Sequence, residues 1–308
     1  GSVPGMTQRE LVVLGSSAQT PTRTRNHNGY ALRWDGEILL FDPGEGTQRQ
    51  LLLAGISAAK LTRICITHFH GDHCLGLPGV IQRLSLDQAR GPVDVHYPAE
   101  GEVYFERLRG AAAFHETTPL RPHPDVAGTI AETDAFTLSA MALDHRVPTL
   151  GYRLVEPDSR RLVPRKLAEA GLSGPVVGQL RRDGSVTVDG RVITEEEVSE
   201  PRRGQRFAFV MDTRVCDAAV ALAADADLLV CEATYLDADA DLAERYAHLT
   251  ARQAGRIATE AGARRLVLTH FSQRYADPQR FAEESGFSDV VLAEDFLRIP
   301  VPPRGAPD

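Results

Sequence analysis

The chain holds 308 residues, 43% of them hydrophobic and 25% charged, with a formal net charge of −8. That composition is ordinary for a globular chain and excludes disordered, fibrous and collagen-like classes; no uncharged apolar run reaches the 18 or so residues of a membrane span. The acidic balance argues weakly against a nucleic-acid partner, although the basic residues are 32 Arg and only 2 Lys, Lys60 and Lys166. Residues 1–5 precede Met6 and read as a cloning remnant, and the polar start GSVPGMTQRE shows no signal peptide. Cys65, Cys74, Cys216 and Cys231 are scattered with no C-x-x-C pair, which points to a reduced, cytoplasmic setting.

In chain order, apolar periodicity predicts a strand over 10–14 and a turn-rich loop over 15–28. Strands over 30–34 and 37–41 flank Asp35-Gly36, a hairpin signal. A helix begins at 48–53, a buried strand runs over 61–67, and a helix covers 80–89. Strands follow at 136–143 and 152–155, then 207–211, 228–231 and 266–269, with helices at 217–224, 250–261 and 278–284. Two successive β-rich halves, each ending in helices, suggest two packed sheets with helices outside. Residues 151–206 break the pattern. They carry 11 basic against 9 acidic residues, a net of +2, while the remainder carries −10. Rich in Gly, Pro and Arg and without core-forming periodicity, this stretch reads as a protruding arm lacking a core of its own or as a solvated excursion.

Chemistry concentrates in THFHGDH, where His68, His70, Asp72 and His73 follow the strand over 61–67. Alternate residues of an extended segment project together, and Gly71 permits the reversal that returns Asp72 and His73 to the same point. Imidazole and carboxylate donors favour zinc or another borderline divalent ion. Four donors on one loop exceed the needs of one tetrahedral ion, so more should arrive from other strand ends. His145, Asp212 and His270 each stand just beyond an apolar strand. The other histidines, His27, His96, His115 and His123, read as structural or solvated, and Gly15-Ser16-Ser17 lacks the phosphate-cradling pattern.

With these residues in place the chain resembles ribonuclease Z, the tRNA 3′-processing endonuclease of the metallo-β-lactamase superfamily, in its short form. The resemblance rests on FDPGEGTQ (41–48), ITHFHGDHCLGLPG (66–79), LDH (143–145), MDTR (211–214), EAT (232–234), HLT (248–250) and THFSQRY (269–275), and it spans residues 11–296. It implies an α/β (α+β) fold, the metallo-β-lactamase αββα sandwich, as one domain over 6–308 with a flexible arm inserted at 156–204. It implies two Zn2+ per subunit, with Mn2+ or a similar ion as a substitute. The first would take His68, His70 and His145, the second Asp72, His73 and His270, with Asp212 bridging. Asp42 would steady the metal loop, or act simply as a turn former before Pro43-Gly44.

Two such ions would activate a water and neutralise charge on an in-line phosphoryl transition state. Asp72 would accept the water's proton, His248 would protonate the departing 3′ oxygen, and Glu232 would hold His248 in the right tautomer. The expected reaction is removal of the 3′ trailer from precursor tRNA, leaving a 3′-hydroxyl on the tRNA and a 5′-phosphate on the trailer. In the arm, KLAEAGLSGPVVGQL (166–180) resembles the family's tRNA-gripping element, with Gly174-Pro175 as its Gly-Pro. Arg160, Arg161, Arg165, Lys166, Arg181 and Arg182 would then neutralise phosphates. Arg23 or Arg25, in PTRTRN, would meet backbone phosphate. The resemblance also implies a homodimer, in which one subunit's arm serves the other's metal site. Two small departures, Met211 and Leu249, replace the family's usual glycine and small polar residue. The rival expectations are another hydrolase of the superfamily, a phosphodiesterase or sulfatase acting on small esters, and a catalytically dead RNA-binding protein.

Overall fold

Alternation along single strands generates the layers. In the strand Arg9–Gly15, Leu11 and Val13 enter one apolar cluster while Val12 and Leu14 enter another, and Glu37–Phe41 divides Leu39 and Phe41 from Ile38 and Leu40 in the same way. Both faces of such a strand are covered, so its sequence is a continuous apolar run rather than an alternating one. The computed structural model describes residues 9–303; the expected remnant at 1–5 lies outside them.

One seven-stranded sheet runs Arg298–Pro300, Arg9–Gly15, Gly29–Trp34, Glu37–Phe41, Arg63–Cys65, Val93–Pro98, Leu120–Asp125. The other runs Val290–Leu292, Arg265–Thr269, Leu228–Glu232, Arg206–Val210, Leu150–Val155, Thr137–Ala142, Gly128–Glu132. Their facing sides share one core. Phe41 stacks on Phe209 at 4.8 Å between ring centroids, and Tyr30 meets Phe209 edge-on at 5.2 Å. On the outer face of the first sheet lie helices Thr47–Leu53, Leu77–Leu86 and Glu102–Arg109, through Leu51, Val80, Leu84 and Phe105. The second sheet is covered by Asp217–Ala223, Ala251–Glu260 and Gln279–Ser285, through Leu222, Ile257 and Phe281. The order helix, sheet, sheet, helix is the expected αββα sandwich.

Several boundaries differ from expectation. The strand predicted over 61–67 is only Arg63–Cys65, because the chain leaves the sheet to enter the metal loop. The helix predicted over 80–89 is Leu77–Leu86, its first turn occupied by Pro78. Leu120–Asp125 and Gly128–Glu132 were not legible as strands: both are sheet edges, and their residues are mostly exposed or half-buried.

The chain parts into two compact units, one of residues up to Leu154 and Arg206–Pro302, the other chiefly Val155–Gln205. In the second, Ser159–Leu162 pairs with Ser199–Arg202, and Ser185–Val188 with Arg191–Thr194; helices Pro164–Glu169 and Pro175–Asp183 complete it. The expectation that this stretch lacks a core is corrected. Leu172, Leu180, Val186, Ile193 and Val198 are buried together. Each short element supplies only one or two of these side chains, too few to register as periodicity in any window.

Candidate metal centre

The site is made where strands end. Asp42, Asp212 and His270 each follow a strand closely and adopt left-handed backbone, with φ of 47°, 55° and 62°. Ala247, at φ 58°, precedes His248. Outside glycine this conformation costs about 1 kcal/mol or more per residue, and such outliers persist where surrounding contacts over-determine them. Close approach of backbones does the rest. A Cβ at Gly76 would lie 1.9 Å from the Gly44 carbonyl oxygen, and one at Gly44 would lie 2.4 Å from the Asp72 carbonyl oxygen. Glycine at both positions therefore lets the FDPGEG turn press against the metal loop.

Seven donors from four segments converge. His68 Nε2 and His145 Nε2 lie 3.1 and 3.2 Å from His70 Nδ1, and Asp212 Oδ2 is 3.2 Å from His68 Nε2. One donor atom from each of these four residues falls within 4.8 Å of the others, and Asp72, His73 and His270 form a second such group. Asp212 faces both, with Oδ2 3.1 Å from His73 Nε2 and Oδ1 3.3 Å from His270 Nε2. Every metal donor expected from sequence is thus in one place.

The residues fit a divalent cation on two counts. His73 Nε2 and Asp212 Oδ1 are buried without a hydrogen-bond partner, which a protein interior rarely tolerates. Asp42, Asp72, Asp212 and Glu232 are buried carboxylates whose ion-pair partners are histidines. Uncompensated charge of that density is costly, and metal ions supply the compensation. Burial holds the imidazoles of His68, His70 and His145 below their usual pKa, hence neutral and able to donate a lone pair. Burial opposes charge on His73 too, but Asp212, Asp72 and Asp42 around it raise its pKa well above the usual value. Burial would likewise raise Asp72, yet His73 and His270 hold it ionised, far below the usual carboxylate range.

The outer nitrogens are anchored as well. His73 Nδ1 donates to Asp42 (2.8 Å), His145 Nδ1 to the Ala247 carbonyl (2.8 Å), and the Nδ1 atoms of His68 and His270 meet the hydroxyls of Thr67 and Thr234. Such outer partners fix ring orientation and tautomer. Asp42 also accepts from the Thr67 amide at 2.7 Å, so it contacts the loop and is no bare turn former. Asp72 Oδ2 accepts from the Gln19 amide at 2.9 Å. Glu232 accepts from His248 Nδ1 at 2.9 Å and from the amides of Thr213 and Leu249. Burial, the largest influence on His248, works against its charge, but Glu232 and Asp212 outweigh it and raise the imidazole to about 9.

His70, Asp72, His145, Asp212, His248 and His270 line a cleft of about 350 Å³ with Gln19, His27, Arg146 and Tyr246. Arg146 is the single arginine or lysine in that lining, and its guanidinium lies 5.8 Å from the Tyr246 ring centre. Sequence reasoning missed both, though Arg146 directly follows a proposed ligand, a position from which a side chain readily reaches a cleft. The two arginines singled out in PTRTRN part company. Arg23 is exposed, whereas Arg25 donates to Ser16 and to the Ala293 carbonyl and stacks on Phe271, an internal lock. His96 and His123 stack at 4.6 Å and bond to Asp125 and Asp94, a structural network; His115 is exposed. Met211 and Leu249, the departures from the resemblance, are both fully buried in the larger apolar cluster.

In the Val155–Gln205 unit, Arg165, Arg181, Arg182, Gly174 and Pro175 are exposed. Lys166 and Arg160 are engaged within the unit, Lys166 donating to the Ser199 carbonyl and Arg160 to the Ser199 hydroxyl. Gly174 has φ 60° and ψ −136°, a backbone only glycine adopts readily, and Pro175 opens the helix Pro175–Asp183.

A family model described as the metallo-beta-lactamase superfamily matches residues 22–163, and one described as a beta-lactamase superfamily domain matches 193–271. The ribonuclease Z of Salinispora arenicola is 58% identical over 306 residues, 98% of this chain and 99% of its own. That of Nocardia farcinica is 59% identical over 304 residues, 97% and 100% of the two chains. Among solved structures, the short form of human tRNase Z matches with a TM-score of 0.70 at 29% identity, covering 95% of this chain and 99% of that one. A long-form RNase Z from yeast gives 0.68 at 15% identity over 98% of this chain and 43% of its own, a likeness of fold.

Proposed function

The chain belongs to the ribonuclease Z family, and we propose from that membership and the geometry of its cleft that it cuts precursor tRNA endonucleolytically at the 3′ trailer, using two Zn2+ ions. The observation that carries the reading is the convergence of seven imidazole and carboxylate donors beside a paired His248–Glu232, at the floor of a cleft that His70, Asp72, His145, Asp212, His248 and His270 line. His68, His70 and His145 would hold one ion, Asp72, His73 and His270 the other, with Asp212 shared. When bound, such a pair supplies Lewis acidity to phosphoryl oxygens and lowers the pKa of a water toward about 7.

Asp72, ionised and held by the Gln19 amide, accepts the proton of the attacking water. The water oxygen bonds to phosphorus and the P–O3′ bond breaks. His248 gives the departing 3′ oxygen a proton, so the tRNA leaves with a 3′-hydroxyl and the trailer with a 5′-phosphate. Glu232 on Nδ1 leaves His248 Nε2 as the donating atom. Arg146 meets a substrate phosphate at the cleft, and Tyr246 offers a ring for a base to stack on. Val155–Gln205 acts as the tRNA-binding arm, with Gly174, Pro175, Arg165, Lys166, Arg181 and Arg182 as its contact surface; exposed arginines there bind backbone without reading sequence.

A homodimer fits the exposed leucines. Leu52, 66% exposed, and Leu75, 53% exposed, share an open groove with Gln48, Arg49, Gly79 and Arg83, and a second copy would cover them. No helix among the described residues is long and apolar enough to cross a membrane.

The test is incubation with a precursor tRNA carrying a 3′ trailer, against metal-stripped protein, with both new ends mapped. One cut after the discriminator base, with 3′-hydroxyl and 5′-phosphate ends and dependent on metal, is the expected result. Absence of that cut alongside brisk hydrolysis of a small phosphodiester would move the substrate to the small esters of the rival reading.

A further inference from the structure

We propose that Thr67 and Thr234 are a matched pair of positioning residues that set the tautomers of His68 and His270, each by spending its one hydroxyl hydrogen on a buried carboxylate. The inference rests on the reading of those two histidines as metal ligands.

Each threonine has a single hydroxyl hydrogen to give. Thr67 Oγ1 lies 2.8 Å from Asp42 Oδ2 and 2.9 Å from His68 Nδ1. Thr234 Oγ1 lies 2.6 Å from Glu232 Oε2 and 2.7 Å from His270 Nδ1. Both carboxylates are fully buried, and each already receives several N–H groups: Asp42 from the Thr67 amide and His73, Glu232 from the Thr213 and Leu249 amides and His248. An ionised carboxylate only accepts, so each hydroxyl hydrogen points to it. The threonine oxygen can then only accept from imidazole. Nδ1 must carry the ring hydrogen, and Nε2 is left with the lone pair that faces the cluster.

The two relays stand on different sheets, one after Arg63–Cys65 and the other after Leu228–Glu232, yet the wiring is the same. Asp42 serves His73 directly and His68 through Thr67. Glu232 serves His248 directly and His270 through Thr234. They differ in the direct partner, a proposed metal ligand in the first case and the proposed proton donor in the second. Removing the Thr67 hydroxyl therefore affects metal binding alone. Removing that of Thr234 frees a lone pair on the carboxylate that orients His248, and so also lowers kcat at saturating metal.

The experiment uses the full chain as wild type and as Thr67→Val, Thr67→Ser, Thr234→Val and Thr234→Ser, loaded with zinc. Zinc affinity is read by chelator competition, and kcat and KM on precursor tRNA at saturating zinc. Valine keeps the shape without the hydroxyl, and should weaken zinc binding about 10- to 100-fold, the usual effect of losing an outer-shell partner. Serine should restore affinity to within a few-fold of wild type. Saturating zinc should rescue kcat in Thr67→Val but not in Thr234→Val. Valine variants with wild-type affinity, or serine variants as weak as valine, would overturn the proposal. Should a valine variant not fold by circular dichroism, the wild type decides: a long-range 1H–15N spectrum of the metal-stripped protein, where no ion dictates the tautomer, should show the hydrogen of His68 and His270 on Nδ1, and a neutral ring with its hydrogen on Nε2 in either overturns it. Failure of the ligand reading looks different, since His68→Ala and His270→Ala would then keep full zinc content.

Discussion

The metal centre and the Val155–Gln205 unit are built to opposite specifications. In the centre the donor set is largely withdrawn from solvent, four ring nitrogens are anchored from behind, and strained backbone is held at Asp42, Asp212, Ala247 and His270. In the other unit a core of five side chains supports a surface where Arg161, Arg181 and Arg182 are exposed. Bond making needs groups fixed to a fraction of an ångström, whereas holding a phosphate backbone needs charge within reach and tolerates loose geometry. Rate should therefore reside in the first region and choice of substrate in the second.

That division can be broken from either side. His248→Ala should produce the largest effect, a fall in kcat of about 10²- to 10⁴-fold for loss of a general acid, on precursor tRNA and to a lesser degree on small esters with better leaving groups. Zinc content, measured on the same preparation, should not change, and unchanged turnover would remove His248 from the mechanism. Deleting 157–200 is the complementary cut. The Glu156 amide bonds to the Gln205 carbonyl at 2.9 Å, so the chain on either side of the excision already lies side by side. Cleavage of precursor tRNA should fall by about 10²-fold or more in kcat/KM, mostly in KM, as several phosphate contacts are lost. Hydrolysis of a small phosphodiester should persist, and equal survival of both activities would show that this unit is not where tRNA is gripped.

The same contrast explains what could be read in advance. The metal loop was legible because four donors sit in six residues, and His145, Asp212 and His270 because each follows an apolar run that could only be a strand. The layers were legible for a similar reason, since strands covered on both faces are continuous apolar segments. Edge strands such as Leu120–Asp125 were not, because half their residues meet water and carry Arg, His and Pro. The small core of residues 155–205 was hidden by its dispersal over short elements. Thr67 and Thr234 looked like ordinary strand-end threonines, and only distances to Asp42 and Glu232 give them a task. Arg146 and Tyr246 lie 100 residues apart, so no local pattern could pair them.

Arg146 sharpens the comparison because it is a loosely held cation in the rigid region. Arg146→Ala should raise KM for precursor tRNA about tenfold, the worth of one charge-assisted phosphate contact, and leave kcat and zinc content nearly unchanged. A loss confined to kcat would instead place Arg146 on the transition state, and no change at all would leave the cleft's cation without a role in binding.

The smallest effect is a shift of a titration, and it probes how firmly the centre holds its charges without metal. In metal-stripped protein His248 should titrate near 9, since Glu232 and Asp212 outweigh the burial that disfavours its charge. The folded pKa exceeds the usual value of about 6.5, so the stability contributed by the charged imidazole is complete below that pH and is lost as pH rises through about 9. Following the His248 ring resonances from pH 6 to 10, with thermal midpoints across the same range, measures both. Glu232→Gln removes the closest negative charge and should bring the midpoint back toward 6.5 and flatten the alkaline loss of stability. A midpoint already near 6.5 in the unmodified chain would mean that burial prevails over the two carboxylates, and His248 would then need the substrate phosphate, rather than Glu232, to keep the proton it is proposed to donate.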